Sequence, residues 1–362
     1  MSSKHEKKSK KSKKKVGKVI GIFLLIILIL AAIACGYAYY FVQSKLNLLN
    51  TETIDTSDIG INEEVAENLK SYRNIALFGI DSRKDDYGVG NRSDCMIIAS
   101  INEDTGEVKL VSIYRDTMVD VDEYGKTILD KITHAYSFGT AQNALKSINR
   151  ALDLNIKEYV TVNFDSLVDA INAIGGVSIT VTNEELKYIN PYVHETSRVS
   201  GVPSADVTTA GTQVLNGVQA VAYSRIRYTA GGDEKRTERH RVVLEAMLTK
   251  AKSLGIKELN NAADIILPKI STNIPASDIT STLLKVGKFS VKQSIGWPYT
   301  TKGITIDRWY GVPVTLETNV TRLHKEVFNE EDYTPSETVI DMSNRTKAKT
   351  GYTEQTIPDS SR

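Results

Sequence analysis

The chain has 362 residues with 45 basic and 44 acidic side chains, which gives a formal net charge of +1 at pH 7. Its two cysteines exclude a small domain stapled by disulfides, and a body of this length can bury a large core without them. The near-neutral average hides an asymmetry, because residues 1–18 carry nine lysines against the single acid Glu6. A basic tail therefore precedes an acidic body.

An apolar segment follows the tail. Residues 19–42 contain no Asp, Glu, Lys, Arg or His over 24 residues, and a helix needs about 20 apolar residues to cross ~30 Å of hydrocarbon. Lysines beside a first span stay in the cytoplasm, and aromatic residues such as those at 37–41 are enriched at membrane interfaces. We expect a cytoplasmic tail, one transmembrane helix over 19–42, and a body outside the cell membrane.

Two other interpretations of this N-terminus stay open. A cleaved signal peptide has an apolar core of about 7 to 15 residues, which is shorter than this segment. Residues 32–36 loosely resemble a lipoprotein processing site, but the apolar stretch continues past Cys35. Because Cys35 lies in the expected span, we do not expect a disulfide between it and Cys95.

The body alternates short apolar runs with turns and amphipathic segments. Residues 43–71 are polar and acidic and predict a stalk. Strands are predicted at 74–80, 95–101, 108–114, 159–164 and 177–181, and helices at 133–152, 165–174, 217–226, 234–254 and 278–286. The turn at 104–106 fits a hairpin, so part of the sheet should be antiparallel. This order predicts a single α/β sandwich domain over 72–328, with a central mixed sheet flanked by helices.

Three segments have weaker patterns. Residues 183–212 contain two prolines and two glycines, and they predict a long excursion with one short helix, of the kind that borders functional sites. A hairpin at 305–315 is predicted to close the domain. The polar residues 329–362 predict a disordered tail.

Two aspartates stand at the ends of neighbouring predicted strands. Asp81 ends the first strand and Asp94 precedes the second, so sheet pairing can bring both carboxylates to one rim. Magnesium takes one or two protein carboxylates and fills its other positions with water and phosphate. Turn capping or plain surface charge is the alternative for both residues.

Arginines concentrate in the second half of the body. Five of them (Arg225, Arg227, Arg236, Arg239 and Arg241) fall within 17 residues. The guanidinium fork binds phosphate oxygens bidentately, so the cluster suits a pyrophosphate. Because Asp233, Glu234 and Glu238 are interspersed, a solvated helix with internal ion pairs stays an alternative, above all for Arg239 and Arg241.

Several short motifs together resemble the LytR-CpsA-Psr family over roughly residues 72–325. They are Gly79–Arg83, Arg92–Asp94, Ser112–Thr117, Lys131–Tyr136, Gly175–Val177, and Arg225-x-Arg227 followed by Asp233, Arg236 and Arg239. The resemblance implies a transferase that moves a glycopolymer, such as teichoic acid or a capsular polysaccharide, from an undecaprenyl-pyrophosphate carrier to peptidoglycan through a phosphodiester.

The resemblance also implies roles for single residues. Asp81 and Asp94 would hold Mg²⁺, with Mn²⁺ as an alternative. The pyrophosphate-binding set would be Arg83, Arg92, Arg115, Arg225, Arg227, Arg236 and His240. The catalytic set would be Asp81, Arg115, Arg225, Arg227 and Asp233, with Asp81 the first candidate for general base and Asp233 the second.

The sequence departs from the family pattern at two positions. Tyr114 stands where proline is usual, and His240 stands where glutamine is common, so the charge of that residue depends on pH. The lipid would need an apolar slot, for which residues 159–179 and 242–248 are candidates, with plain core as the alternative.

Three other functions compete with the transferase. A lipid pyrophosphatase would use the same residues with water as acceptor, and a non-catalytic receptor would only hold the lipid-linked saccharide. A DNA-binding regulator disagrees with the topology, because the arginine cluster would lie outside the cell and the lysine tail fits contact with anionic lipid. No nucleic-acid partner is expected.

Overall fold

The computed structural model describes residues 50–82, 86–275, 278, 279, 282 and 285–356. The predicted cytoplasmic tail and membrane span lie outside these residues, and so does Arg83. Within the described ranges, no helix combines the length and the apolar character that a membrane crossing requires.

The central sheet is mixed. In chain order the strands are β1 (Asn50–Thr51), β2 (Tyr72–Ile80), β3 (Ser93–Asn102), β4 (Glu107–Ile113), β5 (Met118–Glu123), β6 (Lys126–Lys131), β7 (Glu158–Asn163), β8 (Val177–Val181), β9 (Gly211–Leu215), β10 (Ser271–Thr272), β11 (Ser290–Trp297), β12 (Thr301–Thr305) and β13 (Trp309–Pro313). The sheet order is β1-β10-β7-β2-β3-β4-β11, while β5/β6, β8/β9 and β12/β13 form antiparallel pairs. β3 is antiparallel to β2 and β4, whereas β7 is parallel to β2. The predicted mixed sheet and its first hairpin are confirmed.

Helices cover both faces of this sheet. They are α1 (Glu63–Asn68), α2 (Thr133–Leu152), α3 (Phe164–Ala173), α4 (Asn183–Ser200), α5 (Gly217–Ser224), α6 (Gly232–Lys252), α7 (Ile256–Ile266), α8 (Leu316–Phe328) and α9 (Glu337–Thr350). Successive side chains of a strand point to opposite faces. Phe78 and Met96 therefore join the core beneath α2 and α8, while Leu77 and Ile97 face α6.

The segment 183–212 is more regular than predicted, and the expectation of a long excursion is wrong. Thr182 caps α4 in a capping box with Glu185, and the helix continues through Pro191 to Ser200. Ile189 and Val193, one turn apart, are fully buried against the neighbouring helices. Burial of this apolar stripe outweighs the proline.

The prediction of a disordered tail is also wrong for residues 337–350, which form α9. Val339 and Met342 are fully buried in the main core. Arg345 donates to both carboxylate oxygens of Asp120, at 2.8 and 2.6 Å, and Asp120 is only 2 % exposed. The hairpin β12/β13 spans residues 301–313 and so begins four residues before the predicted 305–315, and it does not close the domain, because α8 and α9 follow it.

Candidate active site

A bulge places Asp94 at the edge of the sheet. Gly79 pairs with Cys95, but the next residue, Ile80, pairs with Ser93, so Asp94 is the extra residue of β3. A β-bulge redirects a side chain out of the regular alternation and is common beside active sites. The bulge also requires a close approach, since a Cβ on Gly79 would lie 2.9 Å from the Cβ of Cys95.

Asp94 starts a row of alternating charges. Its Oδ1 accepts a hydrogen bond from Arg115 Nη1 at 2.8 Å, Arg115 Nε lies 3.6 Å from Asp116 Oδ2, and Asp116 Oδ1 lies 2.6 Å from Lys131 Nζ. Burial lowers the pKa of Arg115, but Asp94, Asp116 and Asp233 outweigh it and raise that pKa. Arg115 Nε is buried without a hydrogen-bond partner. The row therefore holds the Arg115 guanidinium between two carboxylates.

Asp81 and Arg92 lie beside this row. The backbone N–H of Asp81 donates to the carbonyl of Arg92 at 3.3 Å, and both side chains are exposed. Sheet pairing therefore brings Asp81 and Asp94 to neighbouring strand ends, as predicted. In the described part of the chain there is no group of three or more His, Cys, Asp or Glu side chains that could hold a metal. Two carboxylates at one rim still fit magnesium, which needs only one or two from the protein.

The turn between α5 and α6 carries the other arginines. Gly231 and Gly232 both have positive φ, at 90° and 50°, a backbone region that favours glycine. Arg227 before them is exposed. Arg225 bonds Thr196 and Glu195 of α4, each at 3.1 Å, and its guanidinium lies 5.3 Å from the centre of the Phe164 ring.

Arg236 is buried with unmatched donors. It is 3 % exposed, and its Nη2 lies 2.7 Å from Asp233 Oδ1, yet its Nε and Nη2 have no hydrogen bond of good geometry. Burial lowers the pKa of Arg236, and the nearby charges of Arg227 and Arg115 lower it further. Asp233 and Asp94 offset part of this lowering.

Of the two arginines left open by the sequence, Arg239 differs from Arg236, whereas Arg241 resembles it in having a buried nitrogen, Nη1, without a hydrogen-bond partner. Arg239 is fully paired, with Nε donating to Glu185 Oε1 at 2.8 Å, Nη1 to the Ile226 carbonyl at 3.0 Å and Nη2 to Thr229 Oγ1 at 2.6 Å. Arg241 donates from Nε to Ser294 Oγ at 2.9 Å. Arg239 therefore ties α6 to α4.

An apolar cavity of ≈ 200 Å³ lies between the sheet, α3 and α6. Its lining residues are Leu77, Phe78, Gly79, Cys95, Ile97, Val160, Val162, Asn163, Phe164, Leu167, Ser224, His240, Val243, Leu244 and Met247. The cavity lies where the sequence placed the candidate lipid slot. Burial raises the pKa of Cys95 to about 12, so this thiol stays neutral.

His240 connects the cavity to the arginines. It lines the cavity, and its pKa is lowered to about 3 by burial first and then by Arg236, Arg241 and Arg227. The imidazole is therefore neutral at physiological pH, and its Nδ1 is buried without a hydrogen-bond partner. The charge that the sequence left open is settled by these neighbours.

Tyr114, the other departure from the family pattern, packs on β11. A Cβ on Gly296 would lie 2.2 Å from the Tyr114 hydroxyl oxygen, so this glycine makes room for the ring. Burial raises the pKa of Tyr114 to about 12, which keeps the hydroxyl neutral.

Asp116 and Lys131 had no predicted role, although both lie in motifs that the sequence singled out. Only the three-dimensional placement shows that they support Arg115. Of the predicted site residues, Asp94, Arg115, Arg227, Asp233, Arg236 and His240 lie within electrostatic reach of one another. Arg225 lies apart from this group, on the α4 side.

Known proteins have similar sequences and folds. A teichoic acid transferase of Enterococcus faecalis, TagU, is 30% identical over 307 residues, which cover 83% of this chain and 92% of that protein. A solved structure of a Streptococcus agalactiae protein is 25% identical with a TM-score of 0.62, covering 76% of this chain and 92% of that one. The structure titled "TagT bound to LIIa-WTA" is 25% identical with a TM-score of 0.57, covering 72% and 91%.

The sequence profile of the LytR_cpsA_psr family matches residues 38–322, which is most of the chain. This match confirms the resemblance carried by the motifs. The chain belongs to the LytR_cpsA_psr family.

Proposed function

We propose that this protein is a phosphotransferase that attaches a glycopolymer from a polyprenyl-pyrophosphate carrier to peptidoglycan. The observation that carries the proposal is the junction at His240, where an apolar cavity meets buried arginines with unmatched donors. A lipid pyrophosphate has the same division into an apolar chain and a charged head. The Enterococcus faecalis relative is named as a polyisoprenyl-teichoic acid–peptidoglycan teichoic acid transferase, which supports the same reaction.

The donor would bind with its lipid in the cavity and its pyrophosphate among the arginines. Phosphate oxygens can accept hydrogen bonds from the guanidinium groups of Arg115, Arg227 and Arg236. Arg92 is exposed at the same rim, and Arg225 stacks on the cavity residue Phe164. A neutral His240 adds no charge where the apolar lining begins, so the lipid end of the head group meets a polar but uncharged side chain.

Asp81 and Asp94 would hold a magnesium ion, and manganese could replace it. Bound there, the metal would neutralise charge on the pyrophosphate oxygens. The side chains of the protein do the rest of the work. Arg115 is oriented by Asp94 and Asp116 before the donor arrives, and preorganised donors of this kind stabilise the charge that develops in the transition state.

The reaction balances without an oxidant or reductant. An acceptor sugar hydroxyl attacks the sugar-side phosphorus, a new phosphorus–oxygen bond forms, and the bond to the bridging oxygen breaks so that polyprenyl phosphate leaves. The hydroxyl proton passes to a carboxylate, for which Asp81 is the first candidate and Asp233 the second. Catalysis then consists mainly of positioning and charge stabilisation.

We also propose that the reaction takes place on the outer side of the cell membrane. The lysine-rich residues 1–18 and the apolar residues 19–42 support a single-pass anchor with a cytoplasmic N-terminus. Peptidoglycan and the lipid-linked donor would both be accessible to a body held there by its stalk.

Turnover by the full-length chain in detergent tests the proposal. The donor is a synthetic polyprenyl-pyrophosphate glycan, the acceptor is a peptidoglycan oligomer, and the variants are Asp94→Ala and Arg227→Ala. Arg322→Ala on α8, an exposed arginine paired with Glu326, is the matched control. We expect glycan on the oligomer with the native chain and the control, none with either site variant, and loss of activity on chelation that magnesium restores.

Two other results would replace the proposal. Release of the glycan into water whether or not the oligomer is present would make the protein a lipid pyrophosphatase. Binding of the donor without a product on any acceptor would make it a receptor for lipid-linked saccharides.

A further inference from the structure

The hairpin β12/β13 has one packed face and one open face. Tyr310 and Val312 are buried against Met118 and the partly buried Tyr352. The side chains that alternate with them stay outside, among them Thr305 and Trp309, and Trp309 is 51 % exposed. The hairpin therefore presents a large aromatic side chain to solvent on a rigid support.

Two glycines form the surface beneath this indole. Gly303 and Gly311 are direct cross-strand partners. A Cβ on Gly303 would lie 2.9 Å from Trp309 Nε1 and 3.2 Å from Cε2 and Cζ2, and a Cβ on Gly311 would lie 3.6 Å from Cη2. The ring thus lies along the glycine pair instead of standing away from the strand. A side chain at position 303 would displace the indole from this surface.

The open face continues into the candidate active site. The N–H of Gly311 donates to the Asp116 carbonyl at 2.9 Å, and Gly311 also forms a β-bridge with Thr117. The Asp116 carboxylate in turn lies 3.6 Å from Arg115 Nε. The same Cβ position on Gly311 that is 3.6 Å from the indole is 3.8 Å from the Asp116 carbonyl oxygen. The indole therefore lies beside the strand end that holds Arg115.

A flat, half-exposed aromatic ring is suited to the apolar face of a sugar ring, and polar groups around it suit the sugar hydroxyls. The polar side chains of the open face are Thr301 and Thr305, both exposed, whereas Asp307 in the turn accepts a hydrogen bond from the Tyr310 hydroxyl. Besides Trp309, the hairpin exposes one large apolar side chain, Ile306 in its turn at 46 %, and the other open positions of this face are threonine or glycine. The chemistry favours a saccharide.

We propose that the open face of β12/β13 binds the peptidoglycan acceptor, with a sugar ring stacked on Trp309. This inference rests on the proposed function, since it assigns the acceptor of the same site. The peptidoglycan acceptor would lie on the Asp116 side of Arg115, while the donor lipid would occupy the cavity beneath α6. The two substrates then approach the arginines from different sides.

Fluorescence of the full-length chain tests the proposal without turnover. The chain has two tryptophans, of which Trp297 is fully buried and Trp309 is half exposed. We expect a soluble peptidoglycan oligosaccharide to change the emission of the native chain with saturation. Trp309→Phe should remove this response and leave the emission of Trp297, which also reports that the fold is intact.

Transfer kinetics give a second readout. Trp309→Ala should raise the acceptor KM about tenfold, which corresponds to ~1.4 kcal/mol of lost stacking, with the donor KM unchanged. Gly303→Ser, which keeps the indole but displaces it, should do the same. Tyr124→Ala, an aromatic residue 76 % exposed in the turn of β5/β6, is the matched control and should change neither KM.

The outcomes separate the two proposals. Two results together would overturn the acceptor site on β12/β13 while transfer itself continued. They are an unchanged acceptor KM in Trp309→Ala and no saturable fluorescence response in the native chain. If the chain bound the saccharide through Trp309 but had no transferase activity, the acceptor site on β12/β13 would be supported and the proposed function overturned.

Discussion

Arg236 and Arg239 lie one turn apart on α6 and are equally hidden from solvent, at 3 and 4 % exposure, yet their surroundings are opposite. Arg239 has a partner for each of its three nitrogens. Arg236 forms an ion pair with Asp233, but its Nε and Nη2 are buried without a hydrogen-bond partner. Buried polar groups in native proteins are normally satisfied, so an exception calls for an explanation.

The explanation that fits Arg236 is a ligand. Burial lowers the pKa of Arg236 most, Asp233 and Asp94 act against this, and Arg227 and Arg115 lower the pKa further. Such an arrangement is costly in the free protein and becomes favourable when an anion supplies the missing acceptors. Arg239 by contrast has its counter-charge within the fold. On the proposed function, one helix thus carries a structural arginine and an arginine that would bind the donor.

The largest effect we expect is on stability, from Arg239→Met. Removing this guanidinium leaves Glu185 buried without its cation, and breaking a buried pair from one side costs about 3 to 5 kcal/mol. The free energy of unfolding in denaturant measures the loss. The double variant Glu185→Gln/Arg239→Met should recover part of it. A loss below about 1 kcal/mol for the single variant would contradict the structural role.

Arg236→Met should show the reverse pattern. Loss of one preorganised donor lowers turnover by roughly 100- to 1000-fold, whereas stability should be unchanged or higher because a poorly satisfied buried charge is removed. Transfer assays and unfolding curves on the same preparation check both parts. A drop in stability as large as that of Arg239→Met would show that the two arginines are equivalent, and the comparison would fail.

His240 extends the comparison to a group that can lose its charge. Its folded-state pKa of about 3 lies below the ordinary value of 6.5, so the unfolded chain binds a proton that the folded chain refuses. The stability associated with neutral His240 is complete above pH 6.5 and is lost as the pH falls toward 3, at up to ~1.4 kcal/mol per pH unit.

The native chain should therefore lose roughly 2 kcal/mol more stability than His240→Gln between pH 6.5 and pH 5. Unfolding free energies of both chains at three pH values in this interval test the prediction. Parallel curves would mean that His240 is solvated and titrates normally, so the cluster would not exclude a further positive charge.

The central elements of the fold could be predicted because their signals are local. The helix at 133–152 and the strand at 177–181 have the predicted bounds, since apolar periodicity and turn residues mark both ends. The helices α4 and α9 could not be predicted. Pro191 masks the apolar stripe of α4, and α9 depends on Arg345 reaching Asp120, 225 residues away in sequence.

In the candidate site as well, features with local signals could be predicted and features that depend on distant residues could not. The motifs singled out Asp94, Arg115 and Arg236, and strand ends and a helix start bring the first two within electrostatic reach of Arg236. The ion pair of Arg239 is with Glu185, which lies 54 residues earlier and on another helix. The acids close to Arg239 in sequence therefore indicated the wrong partners. Trp309 carries no sequence signal at all, since its setting depends on two glycines on paired strands.

The smallest effect we expect is from Lys235→Gln, on the same helix. Lys235 Nζ lies 2.7 Å from Glu238 Oε2, nearly the distance that joins Arg239 to Glu185, but both side chains are about half exposed. Water screens such a pair, so the variant should lose less than about 0.5 kcal/mol, measured by the same unfolding curves, and keep its turnover. Because the two distances match, the difference between Lys235→Gln and Arg239→Met isolates burial as the cause. If the exposed pair proved as costly to break as the buried one, proximity alone would account for both, and burial would not be the cause of the large loss expected for Arg239→Met.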